Sequence, residues 1–145
     1  MSQGTSLSGN FRVRIFRPAF KSCRKLCGTT RNCIELRRHA LKLRYWPDNY
    51  PVDDQGQVVD LNWEWIRSLP NSGIGELRID DVINNNDNLR LIFFVGDKSV
   101  KEPLPMIWIL SVLQKKRDDF TRNQIKIFKG QKQLVLERFY KNRIE

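Results

Sequence analysis

The chain has 145 residues and a formal net charge of +10, with 40% hydrophobic and 10% aromatic residues. This composition predicts one globular domain rather than a disordered chain, and no apolar run reaches the ~18 residues that a transmembrane helix requires. Lysine and arginine outnumber aspartate and glutamate by 11 to 2 in residues 1–50 and by 11 to 5 in residues 101–145, whereas residues 51–100 carry 4 against 9. Basic surfaces built from both ends of the chain favour binding to phosphates or to an acidic partner, and ordinary solvated faces are the alternative.

The first ten residues, MSQGTSLSGN, are small and polar. They lack the basic start and the apolar middle of an export signal. We therefore expect a flexible leader over 1–10, a single domain over 11–145, a cytoplasmic location and no membrane contact.

The first half of the chain predicts a strand followed by two helices. Phe11–Phe16 alternates apolar and basic residues, as a half-buried strand does. Pro18–Cys27 follows as a short helix, with Gly28 suited to the left-handed position after its end. We expect Thr30 to cap a longer helix. The buried stripe of that helix is expected to consist of Cys33, Leu36, Ala40 and Leu43.

The second half predicts a three-stranded meander. A turn-rich stretch over 46–57 precedes Asp60, which we expect to cap a short helix over Leu61–Leu69, before Pro70. Strands are then predicted from the two-residue period and from the β-branched and aromatic content. They are Glu76–Val82, Leu89–Val95 and Met106–Leu113.

The last segment begins with a capping-box pattern. Thr121 and Gln124 can each satisfy the other's unpaired backbone N–H group. The helix is expected either to run to about Tyr140 across Gly130 or to divide into two helices at that glycine. The element order predicts an α+β fold: an N-terminal strand and a helical hairpin packed on a mostly antiparallel sheet, then a C-terminal helix, with the helices on one face.

The three cysteines suggest core packing rather than a metal site. Cys23, Cys27 and Cys33 are spaced four and six residues apart, which matches neither a paired zinc knuckle nor a usual cluster motif. Cys23 and Cys27 continue a helical stripe from Phe16, so we interpret them as reduced core residues. We expect His39, beside two arginines, to be a surface residue rather than a catalyst.

Three stretches of the second half carry a resemblance to a known family. They are "LP...GELRI" (Leu69 to Ile79), "NLRLIFFV" (Asn88 to Val95) and "IWILSVLQKK" followed by a capped helix. In this order the chain resembles the RelE/ParE superfamily of toxins from bacterial toxin–antitoxin pairs, especially its HigB-like and phage-derived branch. About 75 residues are covered well, and the first 68 agree in the order of elements.

This resemblance implies a RelE-like fold and a toxin that cleaves mRNA, usually on the ribosome, without a metal or other cofactor. The 2′-hydroxyl of the RNA attacks the adjacent phosphorus and leaves a 2′,3′-cyclic phosphate. The reaction requires a base, positive charge near the phosphoryl oxygens and an acid. The implied partners are the ribosome, mRNA and a cognate antitoxin, expected to be a helix-turn-helix protein.

The arginines and lysines of the meander are the candidate catalytic residues. The two-residue period of a strand places Arg78 opposite Leu77 and Ile79, on the open face, and places Arg90 likewise. We predict that both arginines bind phosphate, and that Lys115 or Lys116 shares proton transfer or clamps the substrate. The further RNA-binding candidates are Lys98, Arg117, Arg122 and Tyr140.

Other interpretations of these residues remain open. Arg78 and Arg90 can instead be exposed cross-strand partners of Asp80, Glu76 or Asp87, and the lysine pair can equally be surface charge at a helix start. Many family members transfer protons with a histidine or tyrosine near the C-terminal edge of the sheet, whereas the one histidine here is His39, and Gly75 replaces the family's aromatic residue before "ELR". The alternatives to a nuclease are a ParE-like inhibitor of DNA gyrase and a basic binding module without catalysis.

Overall fold

The computed structural model of the protein describes residues 9–96, 106–116 and 118–140. In these ranges no helix has the length and apolar character needed to cross a membrane. The elements are β1 (Arg12–Ile15), α1 (Arg17–Cys27), α2 (Thr30–Leu41), a 3-10 turn (Lys42–Tyr45), β2 (Trp63–Trp65), β3 (Ile74–Ile79), β4 (Leu89–Val95), β5 (Met106–Gln114), α3 (Arg122–Val135) and a π-helical turn (Leu136–Tyr140).

The five strands form one mixed sheet with the order β1-β5-β4-β3-β2. β1 runs parallel to β5, whereas β2, β3, β4 and β5 pair antiparallel with their neighbours. The predicted α+β class and the three-stranded meander are therefore confirmed. β3 ends at Ile79 rather than at Val82, which is exposed.

Helices cover both faces of the sheet, so the expectation that they lie on one face is wrong. α1 and α2 pack on the face that carries Leu91 and Phe93. α3 packs on the opposite face through Phe128 and Val135, together with Ile92 and other apolar residues of β4 and β5. The reason lies in β4, whose consecutive apolar residues are buried on both sides of the sheet.

The segment predicted as a short helix over Leu61–Leu69 contains instead the edge strand β2, Trp63–Trp65, followed by a turn. Trp63 pairs with Leu77 and Trp65 pairs with Gly75. Both indoles join an aromatic cluster with Trp46, in a tilted contact for Trp63 at 5.1 Å between ring centroids and an edge-to-face contact for Trp65 at 5.6 Å. Tertiary packing of the two tryptophans thus overrides the local helical pattern.

Two further predictions for the first half are corrected. The N-cap of α2 is Thr29, whose hydroxyl accepts a hydrogen bond from Asn32 N, and Thr30 is the first helical residue. His39 is buried rather than on the surface, with its ring nitrogens 2.8 Å from Asp81 Oδ2 and 2.9 Å from Lys42 Nζ. The turn after β3 therefore covers this face of α2.

The cysteines belong to the core between α1, α2 and the sheet, as predicted. Cys27 is buried, and Cys23 and Cys33 are half-buried against the same core. Burial, with contacts to the other two thiols, raises the pKa of Cys23, and burial also raises the pKa of Cys27. These two cysteines are therefore neutral thiols at neutral pH.

The capping box of α3 is confirmed. Thr121 Oγ1 accepts a hydrogen bond from Gln124 N, and Gln124 Oε1 accepts one from Thr121 N. The helix runs across Gly130 without a break and continues into the π-helical turn. Of the two alternatives, the single continuous segment is therefore the observed one.

Two glycine substitutions test this packing in opposite directions. A Cβ at Gly75 would lie 2.6 Å from Phe93 Cζ, whereas a Cβ at Gly130 would meet no atom within 4 Å. We expect Gly75→Ala to lower the free energy of unfolding by about 1–3 kcal/mol through overpacking. Gly130→Ala should raise it by about 1 kcal/mol because alanine favours the helix. Urea unfolding of both variants measures this, and equal effects at the two sites would contradict the packing described.

Candidate active-site cleft

A polar cleft of about 320 Å³ opens on the α3 face of the sheet, near the end of β3. Its volume is at the lower end of the range found for small-molecule sites. Carboxylates and cations from β2, the turn after it, β3 and the segment after β5 line it. They are Glu64, Arg67, Glu76, Arg78, Lys115, Asp118 and Asp119, and Trp65 and Phe120 are the aromatic lining residues.

A buried carboxylate lies at the centre of this region. Glu76 Oε1 accepts a hydrogen bond from Arg90 Nε at 3.0 Å and another from Lys115 Nζ at 3.4 Å. The exposed fractions of the Glu76, Arg90 and Lys115 side chains are 7%, 7% and 14%. Charges at this depth are tolerated only when they are paired and hydrogen-bonded, so the three side chains form one interdependent cluster.

The strand register explains why these residues meet. Glu76 and Arg78 are two residues apart on β3 and therefore share a face. Arg78 pairs directly with Arg90 on β4. Lys115 follows β5, and its backbone N–H donates to Asn88 O at 2.9 Å, which fixes it beside the start of β4. Two cations from different chain segments, Arg90 and Lys115, therefore meet at one acid.

The second carboxylate oxygen of Glu76 is not engaged in the same way. Among the described residues, both side-chain donors to Glu76, Arg90 and Lys115, bind Oε1. The Lys115 ammonium is held on its other side by the Phe120 ring, 4.7 Å from the ring centroid. Oε1 of Glu76 is thus held by two charged donors.

The structure brings together three of the predicted site residues. Arg90 and Lys115 both contact Glu76, and Arg78 lines the same cleft, on the face that the strand period predicts for the two arginines. Arg78 is exposed and lines the cleft. Arg90 is buried instead of open, and its guanidinium donates to Glu76 Oε1 and to Leu89 O, so direct binding of phosphate by Arg90 is not available in this arrangement.

The other predicted residues lie elsewhere. Lys116 is exposed and lines a neighbouring depression with Asp118 and Asp119. Arg122 is exposed on the first turn of α3. Tyr140 is buried and accepts a hydrogen bond from Trp108 Nε1 at 2.9 Å, so it does not offer a face on which a base can stack. Lys98 and Arg117 lie outside the described residues.

The cleft carries both signs of charge rather than positive charge alone. Its cations are Arg67, Arg78 and Lys115, with Arg90 behind them, and they face four carboxylates. Glu64 is the direct cross-strand neighbour of Glu76. The cleft can therefore combine a proton acceptor with fixed cations, which a purely cationic hollow cannot do.

Sequence reasoning assigned no chemical role to the two glutamates. The signal for Glu76 was available, since the two-residue period places it on the same face as Arg78. Glu64 could not be placed, because its segment was predicted as a helix. Its position depends on the pairing of β2 with β3.

The chain matches no family model, and no significant match is found among curated proteins or solved structures.

Removal of the Glu76 side chain should lower the free energy of unfolding far more than removal of its cross-strand neighbour Glu64. Glu76→Ala leaves Arg90 buried without its partner, and we expect the free energy of unfolding to fall by about 3–5 kcal/mol. A double variant, Glu76→Met with Arg90→Met, should recover most of this loss because no buried charge remains. Chemical denaturation of the wild type, the single variant and the double variant measures these free energies of unfolding.

Glu64→Ala is the matched control, since Glu64 is exposed on the same face and in register with Glu76. It should change stability by less than about 0.5 kcal/mol. Equal losses for Glu64→Ala and Glu76→Ala would show that the Glu76 cluster does not exist in solution.

Proposed function

We propose that the protein is a metal-independent endoribonuclease that cleaves mRNA, the toxin of a toxin–antitoxin pair. The observation that carries the proposal is the anchoring of Glu76 between Arg90 and Lys115, in a cleft that Arg78 also lines. A fixed carboxylate beside fixed cations is the arrangement that RNA transphosphorylation requires.

Glu76 is assigned as the general base. Its Oε1 is held by two charged donors, so the carboxylate is fixed in orientation, while Oε2 accepts the proton of the RNA 2′-hydroxyl. The 2′-oxygen then forms a bond to the adjacent phosphorus as the bond from phosphorus to the 5′-oxygen breaks. The products are a 2′,3′-cyclic phosphate and a 5′-hydroxyl end.

The cations stabilise the negative charge that develops during this step. Arg78 binds the phosphoryl oxygens from its exposed position, and the planar guanidinium permits two parallel hydrogen bonds. Lys115 donates a proton to the departing 5′-oxygen. After the products leave, Glu76 releases its proton to solvent and Lys115 takes one up, so that no net proton is consumed. Arg90 is a positioning residue that holds Glu76.

The resemblance to RelE/ParE toxins supports the biological assignment. Glu76, Arg78, Arg90 and Lys115 all fall within the three stretches that carry it. The net charge of +10 suits a surface that meets ribosomal RNA. The proposed partners are therefore mRNA, the ribosome and a neutralising antitoxin, and the proposed location is the cytoplasm.

We expect purified protein, incubated with ribosomes and message, to produce new 5′-hydroxyl ends and 2′,3′-cyclic phosphates in the presence of EDTA. Glu76→Gln should lower the cleavage rate by roughly 10²–10⁴-fold, the usual contribution of a general base. Arg78→Ala and Lys115→Met should also reduce cleavage. Primer extension and end-group analysis measure all of these products.

Arg38→Ala is the control for charge alone. Arg38 is exposed on α2 and pairs with Glu35, on the other side of the sheet from the cleft. Its loss should leave cleavage unchanged. Cleavage that survives Glu76→Gln and Arg78→Ala would overturn the site, and gyrase-dependent DNA breaks without RNA cleavage would favour the ParE-like alternative.

A further inference from the structure

The three cysteine side chains of the helical hairpin converge at one point. Cys23 and Cys27 are one turn apart on α1, and their Sγ atoms are 3.8 Å apart. Cys33 lies in the first turns of α2, and all three sulfur atoms lie within 4.8 Å of one another. Gly28, at a φ of 74°, turns the chain after α1, so that Cys33 is brought back against the first helix.

The sulfur geometry matches a metal–thiolate site. Two sulfurs bound to Zn²⁺ at ~2.3 Å with a tetrahedral angle are about 3.8 Å apart, which is the separation of Cys23 and Cys27. A side-chain movement of about 1 Å by Cys33 would bring the third sulfur to the same distance. The sulfurs are too far apart for a disulfide, which requires about 2.05 Å.

The surroundings of the cluster favour a soft ion over a hard one. Cys23 and Cys33 line an apolar cavity of about 220 Å³ between the hairpin and the sheet. Cys33 also lines a second opening with Arg24, Thr29 and Thr30. Among the described residues, no carboxylate lines either space. Thiolates without carboxylates select Zn²⁺ and other thiophilic ions over Mg²⁺ or Ca²⁺.

We propose that Cys23, Cys27 and Cys33 bind one Zn²⁺ ion through three thiolates. Binding releases the three thiol protons to solvent and leaves a net charge of minus one on the three-thiolate complex, and Arg24 and Arg37 line the two adjoining spaces. The two spaces beside Cys33 would leave room for a fourth ligand, water or a thiol from solution. The ion ties α1 to α2 and has no part in RNA cleavage, which remains independent of metal.

Cadmium is a direct spectroscopic probe of this site. Reduced full-length protein titrated with Cd²⁺ should develop the ultraviolet charge-transfer absorption of cadmium thiolates, saturating at one ion per chain, and Zn²⁺ should abolish the band by competition. Each of Cys23→Ser, Cys27→Ala and Cys33→Ser should weaken Cd²⁺ binding by more than the roughly 10–100-fold that loss of an outer-shell partner causes.

Asp81→Asn is the matched control, because Glu35, His39 and Asp81 are the other group of potential ligands in the described residues. This variant should leave the cadmium band and its stoichiometry unchanged. If the cadmium band were lost in Asp81→Asn but retained in Cys33→Ser, the assignment of the three cysteines as ligands would be overturned.

A second measurement needs no substitution. One equivalent of Zn²⁺ should slow alkylation of all three thiols of the wild-type protein by N-ethylmaleimide at least tenfold, as read by mass spectrometry. A folded protein whose thiols react equally fast with and without Zn²⁺, or that shows no cadmium band, would overturn the proposal. The proposal would also be overturned if Cys23 and Cys27 formed a disulfide on oxidation and the reduced protein bound no metal.

Discussion

The arrangement of the cleft depends on one buried carboxylate that cannot be left unpaired. The Glu76 side chain is only 7% exposed, and an isolated charge at that depth would carry a large desolvation cost. Its two partners come from β4 and from the end of β5, so the acid ties three neighbouring chain segments together. The same contacts that stabilise the charge also fix the geometry of a potential base, so stability and chemistry rest on the same atoms.

The helices packed on the two faces of the sheet determine where the cleft can open. α3 protects the apolar part of its face, where Phe128 and Val135 pack with residues of β4 and β5. The capping box at Thr121 fixes the start of the helix after the Lys115 segment, and Phe120 forms a wall of the cleft. The charged end of the same face therefore stays open, in a fold whose other face is closed by the α1–α2 hairpin.

Much of the fold follows from periodicity. The β4 and β5 segments were predicted closely because strand-forming residues fill them, and the capping box marks the start of α3. The faces of Arg78 and Arg90 also follow from the two-residue period. Local sequence patterns could not predict how deeply each side chain is buried. The burial of Arg90 and Tyr140 depends on tertiary packing against the sheet. Likewise β2 exists because its tryptophans find an aromatic cluster that is distant in sequence.

The measurement closest to the central claim is NMR of the arginine Nε–H and lysine ammonium groups, with and without a dinucleotide that lacks the attacking 2′-hydroxyl. The account predicts slow solvent exchange for Arg90 Nε–H, which is bound by Glu76, and fast exchange for Arg38, which is exposed. The dinucleotide should then shift the Arg78 and Lys115 signals and leave Arg38 unchanged. Equally fast exchange at Arg90 and Arg38, or no shift at Arg78 and Lys115, would contradict the account.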